Sequence, residues 1–245
     1  MSEIRRQGPE AELEDPVLVE GFPGIGLVGK IATDHLIDQL DMRYYASVHC
    51  DGLPRIGIYR DGSTTIQPPV RLYVSEDEDV IALQSDVPIS TQALESVAGC
   101  LTSWAVDHDA TPVYLSGLPS QRDEPPQLFG VTTGDADAVD TYGIDSPTED
   151  GVISGPTGAL LNRAAELGTD SFGLVVECSP QFPDPEAASV LLEDGICPIA
   201  DVELDVEALI ERAGEIQEQR QAFAERMREV ESAESTQAQP LRMYQ

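Results

Sequence analysis

The amino-acid sequence predicts an α/β fold, a three-layer α/β/α sandwich whose central sheet is mixed and mostly parallel. Short runs rich in β-branched and aromatic residues alternate with helix-like segments along most of the chain, which is typical of a parallel sheet flanked by helices. Paired strand-like runs in the first third add antiparallel hairpins and make the sheet mixed. Hydrophobic residues form 41% of the 245 residues, which is enough for a substantial core.

The first third of the chain predicts strands around one helix. A glycine-rich turn after the first strand leads into a helix expected over residues 26–40. The strands, each a short apolar run bounded by polar or turn residues, are expected at residues 16–20, 44–48, 56–59, 70–74 and 80–83. The acidic turn 76–79 separates the last two, which are therefore expected to pair.

The rest of the predicted sandwich alternates helices and strands. Ser90 is the expected cap of a helix over residues 90–106, and Pro185 stands at the start of the last short helix, where its fixed φ favours initiation. Strands are expected at residues 112–115, 129–132 and 172–177, helices at residues 136–142, 158–167 and 185–192, and a polar loop at residues 120–126.

The chain divides into four predicted segments: a disordered arm (1–12), the α/β/α domain (13–200), a helix (201–231) and a flexible tail (232–245). The helix carries a hydrophobic period of about 3.5 residues through Val202, Val206, Leu209, Ala213, Ile216, Arg220, Phe223, Met227 and Val230. This period fits an amphipathic helix lying on its own domain, or a seam between subunits. The tail is rich in Ser, Gln and Ala, which is typical of a tether.

The composition is strongly acidic, since 45 Asp and Glu against 14 Lys and Arg give a net charge of −31. Lys30 is the single lysine. Because the apolar content argues against acidic disorder, we interpret the charge as that of a halophilic cytoplasmic protein, in which salt screens self-repulsion. The same charge argues against nucleic acid as a partner, since no basic patch is available to neutralise phosphates.

The sequence predicts neither a signal peptide nor a membrane span. The chain starts with charged and polar residues, and no apolar run is long enough to cross a bilayer. The four cysteines are far apart in the sequence and lack a CxxC pair: Cys50, Cys100, Cys178 and Cys197. This spacing favours reduced, buried thiols over a disulfide framework or a zinc site.

A glycine-rich turn over residues 21–30 is the first candidate functional site. Gly24, Gly26 and Gly29 match the GxGxxG fingerprint of dinucleotide-binding proteins, after a strand and before a helix. However, no acidic residue ends a second strand at the expected distance, and Ile31 follows Lys30 where a P-loop has Ser or Thr. We therefore expect the turn to have a structural role. The alternatives are a contact with an anion or a partner at Gly24, Gly26, Gly29 and Lys30, and a nucleotide-binding site.

The sequence contains no recognisable catalytic or metal-binding constellation. His35, His49 and His108 show no paired-ligand spacing such as HExxH, and no serine lies in a GxSxG pattern. Cys178 ends a predicted strand and is interpreted as a core thiol rather than a nucleophile. The sequence thus predicts a protein that is not an enzyme and uses no cofactor or metal.

The last three residues form the second candidate site. Met243, Tyr244 and Gln245 place an aromatic side chain beside the terminal carboxylate, behind the predicted tether. An aromatic ring fills a pocket, and a chain-end carboxylate is captured by a cation or by backbone N–H groups, so the ending is typical of a docking peptide.

These motifs together resemble the archaeal proteasome-assembly-chaperone family, with a haloarchaeal-like acidic composition. The resemblance rests on the glycine turn 21–29, on Leu115-Ser116-Gly117, on residues 153–158 (Ile-Ser-Gly-Pro-Thr-Gly), on the heptad-bearing helix and on the Met243-Tyr244-Gln245 ending. It implies a nucleoside-phosphorylase-like α/β/α sandwich without that enzyme activity. It also implies that the tail, as a hydrophobic-tyrosine-X motif, docks onto α-type subunits of the core proteasome.

The resulting hypothesis is a non-enzymatic assembly chaperone or activator-like adaptor of the core proteasome that acts as a homo-oligomer. The alternative is an enzyme or sensor that binds a nucleoside or a phosphate at residues 21–30. The two hypotheses differ in location, since the first places function at Tyr244 and the second at the glycine turn.

Overall fold

The fold is built on one mixed sheet. The structure is a computed structural model that describes residues 3–60, 62–121, 124–181 and 183–211. Within these ranges the strands are β1 (Glu3–Arg6), β2 (Val17–Gly21), β3 (Arg43–His49), β4 (Val70–Ser75), β5 (Val80–Ser85), β6 (Thr111–Pro119), β7 (Leu128–Thr132) and β8 (Phe172–Cys178). Their order across the sheet is β1-β3-β4-β5-β2-β6-β8-β7.

Helices cover both faces of this sheet. The described helices are α1 (Val28–Gln39), α2 (Leu94–Asp107), α3 (Ala138–Thr141), α4 (Gly155–Leu167), α5 (Pro185–Val190) and α6 (Cys197–Ala200), with a π-helical turn at Leu191–Ile196 between the last two. One face of the sheet packs against α1, α5 and α6, and the other packs against α2 and α4. The predicted α/β/α sandwich is therefore confirmed.

Alternation along the central strands supplies both cores. In β6, Val113 and Leu115 belong to the core under α1 and α5, whereas Tyr114 belongs to the core under α2 and α4. Successive side chains of a strand point to opposite faces, so both faces of this strand must be apolar. For this reason the central strands are nearly continuous apolar runs in the sequence.

Parallel pairing is confined to the centre of the sheet. The neighbours β5, β2, β6 and β8 run parallel, whereas the pairs β1–β3, β3–β4, β4–β5 and β7–β8 are antiparallel. The mixed sheet is confirmed, with a smaller parallel part than predicted. The connections explain the difference, because the short turn 76–79 can join only antiparallel strands, whereas α2 provides the crossover from β5 to the parallel β6.

Two predictions in the N-terminal part are wrong. Residues 1–12 do not form a disordered arm throughout, because Glu3–Arg6 pair antiparallel with β3, and Ile4 packs on the core under α2. An edge strand of this kind needs few apolar residues, so its polar sequence conceals it. The strand expected at residues 56–59 is reduced to one bridge between Ile58 and Gln67, in a segment whose Tyr59 is 80% exposed.

The helix predicted from residue 201 begins later. Asp201 adopts a left-handed conformation that ends α6, and residues 202–206 are not helical. Helix resumes at residues 207–211, where the carboxylate of Asp205 accepts a hydrogen bond from Glu207 N (2.9 Å). Val206 and Leu209 are buried in the core under α1. The remainder of the predicted helix, residues 212–231, and the predicted tail lie outside the described residues.

The sequence predicts no membrane-spanning segment, and the helices of the described ranges agree with this expectation. None of them is long and apolar enough to cross a bilayer.

Candidate functional site

The sequence motifs meet at one edge of the sheet. The glycine turn follows β2, Ser116 and Gly117 lie near the end of β6, and Ser154 directly precedes α4. Because β2, β5, β6 and β8 are parallel, their carboxyl ends share this edge, which is where ligands bind in open α/β sheets. We refer to it as the carboxyl edge.

Two glycines of this edge are required by backbone geometry. Gly26 has φ +63°, a left-handed conformation that other residues adopt with strain. A Cβ atom on Gly117 would lie 2.6 Å from Cys178 Sγ and 2.7 Å from the carbonyl oxygen of Ile25. The glycine turn, β6 and β8 therefore approach each other more closely than side chains would allow.

The other fingerprint glycines differ in their surroundings. A Cβ on Gly29 would lie 3.3 Å from Leu115 Cβ, so this glycine lets α1 pack closely on β6. Gly24 has extended backbone angles and open space around its Cα, and the structure shows no contact that requires glycine there.

The glycine turn is bonded to the segment that follows β8. Asp184 N donates to the carbonyl oxygen of Gly26 (2.8 Å), and Cys178 Sγ donates to that of Ile25 (3.7 Å). The carboxylate of Asp184 accepts from Ser179 N (2.8 Å) and from Ala187 N (3.1 Å) at the start of α5. These bonds give the turn a structural role, in agreement with the first of the sequence interpretations.

Lys30 lies beside the turn in a network of charged groups. Its Nζ atom is 2.8 Å from Asp34 Oδ2 and 3.7 Å from Asp86 Oδ1. Asp86 also pairs with Arg60 (3.0 Å) and with the fully buried Arg71 (2.6 Å). Partial burial alone would raise the pKa of Asp86, but the hydrogen bond and charge of Arg71, with Arg60 and Lys30, lower the pKa overall.

Arg71 has three further hydrogen-bond partners besides Asp86. Its guanidinium donates to Gln84 Oε1, to the carbonyl oxygen of Pro68 (2.5 Å) and to the hydroxyl of Tyr73 (3.1 Å). Gln84 in turn donates to Asp34 Oδ1 (2.7 Å) and so joins the two acidic residues of the network. The network therefore links α1 to β4 and β5, and removal of one partner would leave a charge uncompensated.

Glu20 is the second buried charge centre of the carboxyl edge, and the sequence analysis missed it. Its side chain, 1% exposed, accepts hydrogen bonds from Phe22 N (2.6 Å), Leu115 N (3.3 Å) and the hydroxyl of Thr157 (3.1 Å). Glu20 thereby connects all three sequence motifs, since its partners lie in the glycine turn, in β6 and in the Gly155-to-Gly158 segment. An acidic residue that ends an apolar strand directly before a glycine turn was the available signal.

Glu20 is protonated more readily than an ordinary carboxyl group. Burial raises its pKa from 4.5 to about 7, against the opposing hydrogen bonds of Phe22, Thr157 and Leu115. The geometry agrees with a raised pKa. The hydroxyl of Thr157 has one hydrogen but two acceptors within reach, Glu20 Oε2 (3.1 Å) and the Leu115 carbonyl oxygen (2.9 Å), so one of the two contacts needs a proton from Glu20. When Glu20 is protonated, it donates to Thr157 Oγ1, and Thr157 donates to Leu115.

Exposed apolar side chains border the glycine turn. Ile25, Leu27 and Leu118 are 43%, 36% and 42% exposed, and Leu118 directly follows the closely packed Gly117. The carboxyl edge therefore combines a hydrogen-bonded interior with three exposed apolar side chains, which we refer to as the apolar rim.

The histidines are not assembled into a catalytic group. His35 Nε2 donates to the carbonyl oxygen of Asp205 (2.7 Å), and His108 Nδ1 donates to that of Trp104 (2.8 Å). His49 Nε2 shares a hydrogen bond with the Ser47 hydroxyl (2.9 Å). In the described part of the chain, no three His, Cys, Asp or Glu side chains are grouped so that they could hold a metal ion.

The second candidate site has no structural description. Met243, Tyr244 and Gln245 lie outside the described residues, so their role stays a prediction.

Comparison with known proteins identifies the family. A family model described as the PAC2 family matches residues 18–224. The chain belongs to the PAC2 family. An uncharacterised protein of Methanocaldococcus jannaschii is 29% identical over 215 residues, which cover 87% of each chain. The family membership confirms the resemblance to proteasome-assembly chaperones that the sequence motifs indicated.

Solved structures share the PAC2 fold over more than nine tenths of the chain. PbaA of Pyrococcus furiosus, an archaeal homologue of proteasome-assembly chaperone, matches with a TM-score of 0.79 and 25% identity, over 96% of this chain and 97% of its own. PbaB of the same organism, an archaeal proteasome activator, matches with a TM-score of 0.78 over 91% of this chain and 100% of its own. At 24% identity the likeness to PbaB shows the fold alone.

Proposed function

We propose that this PAC2 protein is a non-enzymatic assembly chaperone or activator-like adaptor of the core proteasome. The observation that carries the proposal is the match to PbaA along 96% of the chain, together with the PAC2 family model. The apolar rim at Ile25, Leu27 and Leu118 supports a protein partner rather than a small substrate.

The proposed docking element is the C-terminal ending. Tyr244 inserts its ring between α-type subunits of the proteasome ring, Met243 covers the ring, and the terminal carboxylate of Gln245 pairs with a cation of the partner. One short peptide binds weakly because ordering entropy offsets much of its contact energy. We therefore propose a cytoplasmic homo-oligomer whose several tails raise the avidity by about a hundredfold or more.

The test is binding of purified core proteasome to the full chain and to two tyrosine variants. An aromatic anchor that fills a desolvated pocket costs about 2 kcal/mol or more on truncation, so Tyr244→Ala should weaken binding at least about thirtyfold. Tyr59→Ala is the matched control, since Tyr59 is the 80% exposed tyrosine of the folded domain. Residues added behind Gln245 should weaken binding as Tyr244→Ala does.

Wild-type affinity of Tyr244→Ala would contradict docking by the tail and would leave the folded domain as the contact. If the wild-type protein binds neither core particles nor their α-type subunits, the proposed function itself is contradicted. Light scattering tests the oligomer separately, because a monomer at micromolar concentration removes the avidity argument.

The contacts of the glycine turn argue against a nucleoside or phosphate site at residues 21–30. Lys30 is paired with Asp34 and Asp86, and the carbonyl groups of Ile25 and Gly26 accept bonds from Cys178 and Asp184. We expect calorimetry to show no useful affinity for ATP or NAD. Micromolar binding that Lys30→Ala abolishes would restore that alternative.

A further inference from the structure

An acidic loop, residues 145–152, projects from the domain between α3 and α4. It lies outside the described helices and strands, and every residue in it is exposed. Residues 132–162 contain six acidic residues and no Lys or Arg, and three of the acids belong to this loop: Asp145, Glu149 and Asp150. At the end of the loop Val152 is 92% exposed. The acidic loop therefore presents an apolar side chain beside carboxylates.

The domain holds both ends of the acidic loop. The carbonyl oxygen of Asp145 accepts a hydrogen bond from Gly130 N in β7 (2.8 Å). At the other end, a Cβ atom on Gly158 would overlap the carbonyl oxygen of Ile153, so the residue that follows Val152 packs directly on the first turn of α4. The start of α4 therefore sets the position of Val152.

A cavity of about 490 Å³ lies beside the end of β3, and we refer to it as the β3 cavity. Arg5, His49 and Arg55 line it, and all three are exposed. Its acidic residues are Glu3, which pairs with Arg5, and Asp51. The other walls are largely apolar: Val48, Leu53, Pro54, Ile56, Pro68 and Pro69. A cavity of this size and lining has room for a short piece of another chain.

The β3 cavity lies in an acid-poor part of the sequence. Residues 52–69 contain two arginines, Arg55 and Arg60, and the single acid Asp61, although the whole chain has a net charge of −31. Copies of such a chain repel each other least where acids are sparse. Arginine at the β3 cavity and carboxylates on the acidic loop are complementary, and complementary charges fix the orientation of a contact.

The acidic loop does not reach the β3 cavity of its own chain. Thr157, in the first turn of α4, donates to the carbonyl oxygen of Leu115 in β6 (2.9 Å), and β6 is four strands away from β3. At about 4.8 Å between neighbouring strands, the start of α4 is about 19 Å from β3. Val152 is held beside α4, so a loop that fills this cavity belongs to another copy.

We propose that the acidic loop of one copy docks into the β3 cavity of a second copy. Val152 lies between the apolar walls, and Glu149 and Asp150 pair with Arg55. The contact joins two different surfaces, so each copy accepts one neighbour and docks into another, and successive contacts close a ring. This interface belongs to the homo-oligomer of the proposed function and rests on that part of it.

The experiment measures the mass of the full chain by light scattering in molar KCl, where repulsion between copies is screened. The wild type should form an oligomer at micromolar concentration. Arg55→Glu should raise the Kd of assembly at least about tenfold because it brings like charges together, and Val152→Asp should do the same because it places a carboxylate between apolar walls. Both side chains are exposed, so neither change should unfold the domain. Arg163→Glu makes the same change of charge on α4 and, as the matched control, should assemble like the wild type.

A charge exchange tests whether the two surfaces are partners. The double variant Glu149→Arg, Asp150→Arg should assemble as poorly as Arg55→Glu. An equimolar mixture of these two proteins should assemble, because every β3 cavity then meets a loop of opposite charge. A photoreactive benzoylphenylalanine in place of Val152 should give a covalent dimer linked to the lining of the β3 cavity.

Four results would overturn the proposal: a monomeric wild type, assembly that Arg55→Glu and Val152→Asp leave unchanged, a mixture of the charge variants that stays dissociated, and a cross-link to another surface. A cross-link at the β3 cavity that forms only with core proteasome would likewise assign the loop or the cavity to that partner. A monomer also removes the avidity of the proposed function, but not docking by a single tail. Conversely, loss of proteasome binding would leave this interface intact, because assembly is measured without proteasome.

Discussion

The substitution Glu20→Gln should change how the stability of the protein depends on pH. The folded state holds the Glu20 proton up to a pKa of about 7, whereas the unfolded chain releases it near the ordinary value of 4.5. Between these values the folded state binds more protons than the unfolded state, so the free energy of unfolding falls as pH rises. A glutamine side chain cannot ionise, so the variant lacks this part of the pH dependence.

The magnitude follows from the size of the pKa change. A rise from 4.5 to about 7 corresponds to about 3 kcal/mol of unfolding free energy at 1.36 kcal/mol per pKa unit. The variant also loses an acceptor for Leu115 N, but that cost is the same at every pH. The difference between wild type and variant should therefore shift by about 3 kcal/mol from pH 4.5 to pH 8, in favour of the variant at the higher pH.

Urea unfolding of both proteins across this pH range, in molar KCl, measures the difference directly. The high salt reduces the contribution of surface carboxylates, and the subtraction removes whatever the two proteins share. Tyr114 is the ionisable neighbour that senses Glu20, and its pKa is raised by burial, so it stays neutral throughout the range. Parallel stability curves for the two proteins would refute the assignment of a raised pKa to Glu20.

Three further predictions concern packing, the ion network and salt. Gly117→Ala should destabilise the fold by about 2 kcal/mol because its Cβ has no room, whereas Gly99→Ala, in open space within α2, should stabilise it by about 0.5 kcal/mol; equal effects in urea unfolding would contradict this. Asp86→Asn should cost about 2 kcal/mol because Arg71 stays buried without its carboxylate. Since the pKa of Asp86 is lowered, the wild type should lose this advantage as pH falls below about 4, and a pH-independent difference would be inconsistent. The Tm should climb from dilute buffer to molar KCl because of the net charge of −31, and a flat calorimetric response would exclude a charge effect.

The architecture was predictable because local signals and burial agree in the central strands. Val113-to-Leu115 and Phe172-to-Val176 are apolar on both faces, and a strand buried between two helical layers needs that composition. The edges were less predictable. Glu3–Arg6 form a strand with a polar sequence, because the backbone pairing with β3 matters more there than side-chain burial.

The interior of the carboxyl edge was hidden for a related reason. In a chain with 45 acidic residues, the position of Glu20 between an apolar strand and a glycine turn is a weak signal, and the sequence around Asp86 gives none. Their importance depends on partners that are distant in sequence, such as Thr157 for Glu20 and Arg71 for Asp86. The glycines are visible in the sequence as a motif. However, position 117 requires glycine because the sulfur of Cys178, about sixty positions later in the sequence, leaves no room for a Cβ atom.

The buried Glu20 and the partly buried Asp86 of the carboxyl edge make the effects of salt and pH separable. Surface repulsion is screened over a few ångströms at molar salt, but salt ions do not enter the interior around Glu20, which is 1% exposed. The salt-dependent part of the stability should therefore saturate in KCl, while the Glu20 part persists and follows pH alone. Acidification to pH 5 protonates Glu20 and so strengthens its hydrogen-bonded arrangement beside the glycine turn. Asp86 stays ionised at this pH because its pKa is lowered, so its ion pairs with Arg71, Arg60 and Lys30 are not weakened. The turn should therefore be held most firmly at mildly acidic pH, where both arrangements are intact.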